Sequence, residues 1–277
     1  MKLPEKKLSP KIIALDLDDT LLTKDLTISP ATVAALRKAA EKGIYIVLCS
    51  GRAEHAILKY VSILDIAGKQ AGRYMIAMNG ATVYDMHRRM TIYSRKVDGD
   101  VLLYAYKVAQ QCSLPAEVYS PSTIFASTDN RWTRIDSELS GLKMEIVDDF
   151  PALISKGSSK MIIPGEPEIL QEVQDKLKTE LGASAVIFTS KPYFLEVMPP
   201  DCGKGEALLW LAEELGIPPS KTMAFGDSMN DESMIRKAHY SVAMVNGLDY
   251  IKNIAAYVTR KDNNNDGIAD FLETFVF

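Results

Sequence analysis

The chain has 277 residues, enough for one large or two ordinary domains with ample core either way. Hydrophobic residues make up 47% and charged residues 25%, the balance of a soluble globular protein, and a net charge of −4 argues against the clustered basic surface that nucleic acid requires. No stretch reaches the roughly 20 apolar residues needed to span a bilayer, so neither nucleic acid nor membrane is an expected partner.

The first 11 residues hold four lysines and two prolines but no apolar run, so no signal peptide is expected and the segment reads as a frayed lead-in. Ile12-Ile13-Ala14-Leu15 follows, a short continuous apolar run expected to be a central strand of a parallel sheet covered on both faces. Asp16-Leu17-Asp18-Asp19-Thr20 comes directly after it. Strands of this kind deliver their C-terminal residues to the crevice where α/β proteins bind ligands. Three acids crowded there raise one another's pKa unless a cation sits among them, which points to a metal site with a nucleophile in it.

Ser29-Pro30 then starts a helix, with Ser as N-cap and Pro at the first helical position, and Gly43 ends it. A second buried strand over 44–48 leads into Cys49-Ser50-Gly51-Arg52, a helix covers 56–64, and a third strand over 75–78 ends at Asn79-Gly80. Strands alternating with helices at this spacing imply βαβ units and a parallel sheet. From Tyr84 to about Met198 the texture changes. Half-exposed strands such as 122–127 and 185–189 read as antiparallel, interleaved with amphipathic helices near 100–112 and 166–181, so this stretch is expected to be an α+β module of its own. The last third returns to the first pattern: a helix over 205–215, a strand over 222–225 running into Gly226-Asp227, and apolar stretches at 241–245 and 256–259. Cys49, Cys112 and Cys202 form neither a CxxC pair nor a disulfide framework, which suits a reducing cytoplasm. His55, His87 and His239 are too scattered for a zinc cluster.

Four strand or helix ends thus offer polar groups that could converge: Asp16 and Asp18, Ser50, Lys204, and Asp227 with Asn230 and Asp231. In this order the motifs Asp16-Leu17-Asp18-Asp19-Thr20, Ser50-Gly51-Arg52, Lys204 and Gly226-Asp227-Ser228-Met229-Asn230-Asp231 resemble the haloacid dehalogenase superfamily of aspartate-nucleophile phosphatases, in its Cof-like branch with a type-IIB cap. The resemblance covers the chain from Lys11 onward. It implies a Rossmann-like, three-layer α/β core built from 1–84 and 199–277, with an inserted α+β cap domain over 85–198 that closes on the crevice and excludes water.

The residue types suit phosphoryl transfer. A phosphate monoester is a dianion and repels a bare carboxylate until a cation bridges them. Asp16 is the expected nucleophile, with its second oxygen on Mg²⁺, and Asp18 the acid that protonates the departing alcohol and then activates water. The resemblance adds the Asp18 carbonyl and Asp227 as further metal ligands. Lys204 would neutralise the phosphoryl oxygens and Ser50 would donate a hydrogen bond. By resemblance the Leu17 and Gly51 amides also face the phosphate, Asn230 orients it, and Asp231 supports the metal's water shell. Asp19 falls where many relatives carry glycine and reads as a turn residue. Arg52 and Asn79, also at strand ends, are candidates for contact with the leaving group, and Tyr119, Phe125, Trp132 and Lys160 for the cap's pocket or its core.

Singly, each motif has a plainer reading: a polar turn after Asp16, a loop at Ser50-Gly51, a solvated Lys204, and a helix-capping box at Ser228 to Asp231. Their joint occurrence in order is what outweighs these. Asp262, Asn264, Asp266, Gly267 and Glu273 fit an EF-hand loop position by position, but a strand rather than a helix precedes them. Gly203-Lys204-Gly205 lacks the rest of a Walker loop, and the first strand lacks GxGxxG. The expected activity is therefore a cytoplasmic Mg²⁺-dependent phosphohydrolase acting on a small phosphate ester, a sugar phosphate or phosphorylated cofactor, as a monomer or weak homo-oligomer. A phosphomutase of the same chemistry and a non-catalytic metabolite-binding protein of the same fold are the alternatives.

Overall fold

The computed structural model of the chain describes residues 2–66 and 68–277. Its first part contains β1 (Ile12–Asp16), α1 (Pro30–Glu41), β2 (Tyr45–Cys49), α2 (Glu54–Leu64), β3 (Tyr74–Ala77), β4 (Thr82–Asp85) and β5 (Met90–Ser94). The middle contains α3 (Gly99–Gln111), β6 (Glu117–Tyr119), β7 (Thr123–Ala126), α4 (Arg131–Ser140), β8 (Lys143–Ile146), α5 (Phe150–Ile154), β9 (Met161–Pro164), α6 (Pro167–Leu181), β10 (Val186–Lys191) and β11 (Phe194–Met198). The last part contains α7 (Lys204–Glu214), β12 (Thr222–Gly226), α8 (Glu232–Lys237), β13 (Tyr240–Ala243), α9 (Asp249–Ile254), β14 (Tyr257–Val258) and α10 (Gly267–Phe275).

The chain divides into two compact units, one of Met1–Gly51, Ile57–Tyr93 and Gly203–Phe277, the other of Arg52–Ala56 and Ser94–Cys202. In the first, an eight-stranded sheet has the order β14-β13-β12-β1-β2-β3-β4-β5. From β14 to β3 the pairs are parallel, and β4 returns antiparallel on β3. β1 lies between β12 and β2 and is buried along its whole length, which is why it is apolar on both faces. Leu208, Leu211 and Met234 of α7 and α8 pack against Ile12, Ala14, Val47 and Ile76. Phe225, on the alternate face of β12, meets Phe271 of α10 edge-on at 5.5 Å. Helices therefore cover both faces.

Helix α1 starts as its sequence dictates: the Ser29 hydroxyl accepts from the Thr32 amide at 3.2 Å, a cap worth about 1 kcal/mol. Two expectations are corrected in this unit. The change of unit falls at Ser94, not at residue 85, because β4 and β5 extend the first sheet before the chain leaves it. The lead-in is anchored rather than frayed. The Leu8 amide donates to the Phe275 carbonyl at 2.7 Å, the Val258 amide donates to the Lys2 carbonyl at 2.9 Å, and Lys2 Nζ reaches the Asn253 carbonyl at 2.7 Å. Met1 lies outside the described residues.

In the second unit a six-stranded sheet has the order β10-β11-β9-β6-β7-β8. Its pairs are antiparallel except β7 with β8, which run parallel across the helical connection α4, so the wholly antiparallel module expected from the sequence is corrected at that edge. One face of this sheet (Val118, Met161, Ile163, Leu195 and Val197) packs on Leu102, Val108, Phe150, Leu170 and Val173 of α3, α5 and α6. Each such side chain stabilises the unit by roughly 1.5–3 kcal/mol. Phe125 joins this apolar cluster and is not a pocket residue of the opposite face. By strand alternation the opposite face carries Glu117, Tyr119 and Glu196.

Candidate active site

The candidate residues on the first unit meet at the C-terminal ends of β1, β2, β3 and β12 and at the start of α7. Asp16 closes β1, and in register it lies beside Cys49, the residue before Ser50. Ser50 is held from both sides: its amide donates to Ile76 and its carbonyl accepts from the Asn79 amide, each at 3.0 Å. After Asp16 the chain must turn out of the sheet at once, and it does so through Asp19 at φ 60. Asn246 then donates to the Asp19 carbonyl at 2.8 Å, which pins the turn. The left-handed backbone explains why glycine suits this position, and Asp is among the few other residues that tolerate it.

Lys204 opens α7 and is fully buried, so the plain reading of a solvated helix-start lysine fails. Its Nζ donates to Asp16 Oδ1 at 2.5 Å and to Asp231 Oδ1 at 2.7 Å. Close packing brings it there. Gly80 has φ +93, and a Cβ on it would stand 2.1 Å from the Gly203 carbonyl oxygen, so only glycine lets this turn lie against the start of α7. Gly226 works similarly at the end of β12, where a Cβ would come within 2.6 Å of the Asp231 side chain.

Asp231 does two things that the sequence offered as rival readings. Its Oδ2 accepts from the Asp227 and Ser228 amides at 2.9 and 3.2 Å, completing a helix-capping box, while its Oδ1 holds Lys204. Asp227 is aimed by Thr20, whose hydroxyl donates to Asp227 Oδ1 at 2.8 Å. Sequence reasoning assigned no role to Thr20. The available signal was a hydroxyl inside the acidic motif, and the structure buries it. Asn230 Nδ2 donates to Asn79 Oδ1 at 3.2 Å and Asn230 Oδ1 accepts from the Ser228 hydroxyl at 2.7 Å, which ties the β12 loop to the β3 loop.

Asp16, Asp227 and Asp231 each place a carboxylate oxygen within 4.8 Å of the others. Burial above all, then the Asp231 charge, raises the Asp16 carboxyl well above its ordinary range, against the lowering pull of Lys204. Burial followed by Asp231 pushes Asp227 up to about 7. Burial alone would lower the Lys204 ammonium, but the charges of Asp16 and Asp231 overcome it and raise it. A hard divalent cation fits this oxygen-only set, because it would relieve the repulsion that both carboxyls register. The Asp18 carboxylate is not in the group of three, and it is half-buried. Arg52 is brought elsewhere: it belongs to the second unit, where its guanidinium donates to the Leu139 carbonyl at 3.2 Å. The EF-hand-like positions are occupied by other work. Asp262 Oδ1 accepts from the Asn264 amide, Asn264 Oδ1 from the Lys24 amide, and Glu273 pairs with Lys38 at 2.7 Å.

A family profile described as haloacid dehalogenase-like hydrolase matches residues 13–272. The chain belongs to that family. This haloacid dehalogenase-like hydrolase is an enzyme, a phosphatase. It resembles the crystal structure of a haloacid dehalogenase-like hydrolase from Bacteroides thetaiotaomicron with a TM-score of 0.86 and 29% identity, over 96% of this chain and 99% of that one. The structure of the subclass IIB sugar phosphatase BT4131 matches with a TM-score of 0.82 and 25% identity, over 96% of this chain and 98% of the other. Among named enzymes, the 5-amino-6-(5-phospho-D-ribitylamino)uracil phosphatase YwtE of Bacillus subtilis is 26% identical, over 95% of this chain and 97% of its own length. No helix among the described residues is long and apolar enough to cross a membrane.

Proposed function

We propose that this enzyme is a Mg²⁺-dependent phosphomonoesterase that works through an aspartyl phosphate on Asp16. The observation that carries the reading is the buried contact of Asp16 with Lys204 at 2.5 Å, at the end of the central strand and beside Asp227. Asp16, Asp227 and the Asp18 carbonyl would hold the metal, which supplies positive charge against the phosphate dianion when bound.

The chain's own residues account for the rest. Asp16 attacks phosphorus as the bond to the ester oxygen breaks, and Lys204 faces the equatorial oxygens with a charge fixed in place by Asp231. Ser50 and the Leu17 and Gly51 amides bind the phosphoryl group, and Asn230, steadied by Asn79 and Ser228, orients it. Asp18 is half-buried and outside the buried carboxylate cluster, a placement that suits a residue exchanging protons. It protonates the departing alkoxide and then takes a proton from the water that cleaves the acyl phosphate.

A small phosphorylated metabolite is the substrate class best supported, since one relative is named a sugar phosphatase and another a phosphatase of a phosphoribityl compound. Cys49 and Cys112 are free thiols, which supports a reducing, cytoplasmic setting. The test is phosphate release from a generic aryl phosphate with Mg²⁺. Activity should vanish on chelation with EDTA and return with Mg²⁺, and Asp16→Asn should abolish it. Turnover indifferent to either change sinks the proposal, and transfer without net phosphate release would indicate a mutase.

A further inference from the structure

The asparagine-rich loop before α10 fits a calcium-loop pattern in sequence, yet its side chains are spent on the segment that leaves the nucleophile. That segment is irregular. The Leu22 amide donates to the Leu17 carbonyl at 2.8 Å, but Asp18 (φ −69, ψ 128) and Asp19 (φ 60, ψ 5) break the helical path between them. Repeating backbone bonds cannot run through such dihedrals, so the backbone that carries Asp18 needs other support.

Three asparagines supply it, from 227, 241 and 240 residues further along the chain. Asn246 Nδ2 donates to the Asp19 carbonyl and Asn263 Nδ2 to the Leu22 carbonyl, each at 2.8 Å, while Asn264 Oδ1 accepts from the Lys24 amide at 2.9 Å. The three are also joined to one another. The Asn263 amide donates to Asn246 Oδ1 at 3.3 Å, and Asn264 Nδ2 donates to Asn263 Oδ1 at 3.2 Å. Asn263, at the centre, is only 7% exposed. Residue type follows from this wiring. Asn246 and Asn263 each donate through nitrogen and accept through oxygen, whereas a carboxylate at either place could only accept. All of these residues lie in the first unit.

We propose that Asn246 and Asn263 are positioning residues for Asp18: by pinning the Asp19 and Leu22 carbonyls they fix the turn from which the Asp18 carboxyl meets the ester oxygen. The inference rests on the phosphomonoesterase reading above and deepens it. Asp18 lies between two anchored neighbours, Asp16 held by Lys204 before it and the Asp19 carbonyl held by Asn246 after it. Proton transfer needs its two heavy atoms within hydrogen-bond reach, and a displacement of about 1 Å can cost 100-fold in rate. Lys204 is held by Asp16 and Asp231, outside this set of bonds. Loosening the asparagines should therefore impair protonation of the leaving group and spare phosphate binding.

The experiment compares kcat/KM for phenyl phosphate with that for 4-nitrophenyl phosphate, whose phenolate departs with little help from an acid. It uses the full chain with Mg²⁺. Asn246→Asp retains the acceptor for the Asn263 amide and loses the donor to Asp19, and because Asn246 is exposed this variant should fold even if a variant of buried Asn263 does not. Asn246→Asp and Asn263→Asp should each lower kcat/KM about tenfold or more for phenyl phosphate and about threefold or less for 4-nitrophenyl phosphate, a change of ratio shared with Asp18→Asn. Inhibition by inorganic phosphate should stay within about twofold of wild type. In the Asp18→Asn background the Asn246→Asp change should leave the ratio as it stands, since its effect passes through Asp18. Asn265→Ala, which removes a bond to Asp262 alone, should leave both substrates unaffected. An unchanged ratio in Asn246→Asp, equal losses on the two substrates, or a change of ratio that persists without the Asp18 carboxyl would each overturn the proposal. Phosphate release that does not depend on Asp16 would overturn the phosphomonoesterase reading, whereas Asp16-dependent release with a normal ratio in Asn246→Asp overturns the positioning role alone.

Discussion

Each unit buries one lysine among carboxyl groups, and the two clusters are built to opposite standards. In the first unit Lys204 has two acids, both within hydrogen-bonding distance, and Asp231 spends its other oxygen on two backbone amides. In the second unit Lys160 stands among three acids, its ion pair is a looser 3.6 Å, and Glu117 has no hydrogen-bond partner. Burial is nearly equal, so solvent access does not separate them. Satisfaction does. A fully bonded network fixes a nucleophile in advance, whereas an unmet buried group leaves its desolvation cost uncompensated.

The contrast is most exposed at two acids that are both fully buried. Asp231→Ala removes one of the two carboxylates that hold the buried Lys204 charge and strands two amides, so denaturant unfolding should show a loss of about 3–5 kcal/mol. Glu117→Met should do the reverse and gain about 1–3 kcal/mol in the same assay. If both substitutions destabilise alike, the distinction between a satisfied and an unsatisfied cluster collapses.

Titration sharpens it through the sign of the slope. Asp85 is a third buried acid, bonded bidentately by Arg73 at 2.9 and 2.5 Å and by the His87 and Arg88 amides. The Arg73 bonds above all hold its carboxyl below the usual range. Its stabilising contribution is therefore present above the ordinary carboxylate pKa and is lost as pH falls through the folded value. Asp85→Asn should cost about 1–2 kcal/mol at neutral pH and flatten the acid limb of a stability–pH curve. Glu117 is raised, so its contribution is present in acid and lost as pH rises from the ordinary range through the folded value. Stability measured against Glu117→Gln should accordingly decline toward neutral pH. Matching slopes for Asp85 and Glu117 would contradict the comparison.

The smallest expected effect concerns the acid that belongs to neither cluster. Asp19 is exposed, and only its left-handed backbone and its carbonyl are used. Asp19→Gly should change stability by no more than about 0.5 kcal/mol and leave turnover with aryl phosphate intact.

Much of the first unit was legible because its signals are local. A β-branched run that ends in carboxylates, a Ser-Pro helix start and a Gly-Asp strand end each state their role within a few residues, and the four motifs reach their stations in the expected order. The second unit was harder to read. Its short strands β6, β8 and β9 carry mixed residues, the parallel β7–β8 pair has no sequence mark, and Phe125 looked as fit for a pocket as Tyr119 until the strand register separated their faces. Local periodicity also misplaced the boundary near residue 85, because whether a hairpin extends one sheet or opens the next depends on the edge available to it.

What the sequence determined by itself was which groups end the buried strands: Asp16, Ser50, Asn79 and Asp227. What only the tertiary structure decided was who partners whom: Asp231 rather than Asp18 completing the carboxylate group, Thr20 aiming Asp227 across 207 residues, Arg52 leaving for the second unit, and Glu117 left unmet. The physical reason is range. Strand and cap signals act over one turn or one strand and are written in adjacent residues, whereas hydrogen bonds and charges reach only a few ångströms in space, so their pairing waits on the order of strands in the sheet.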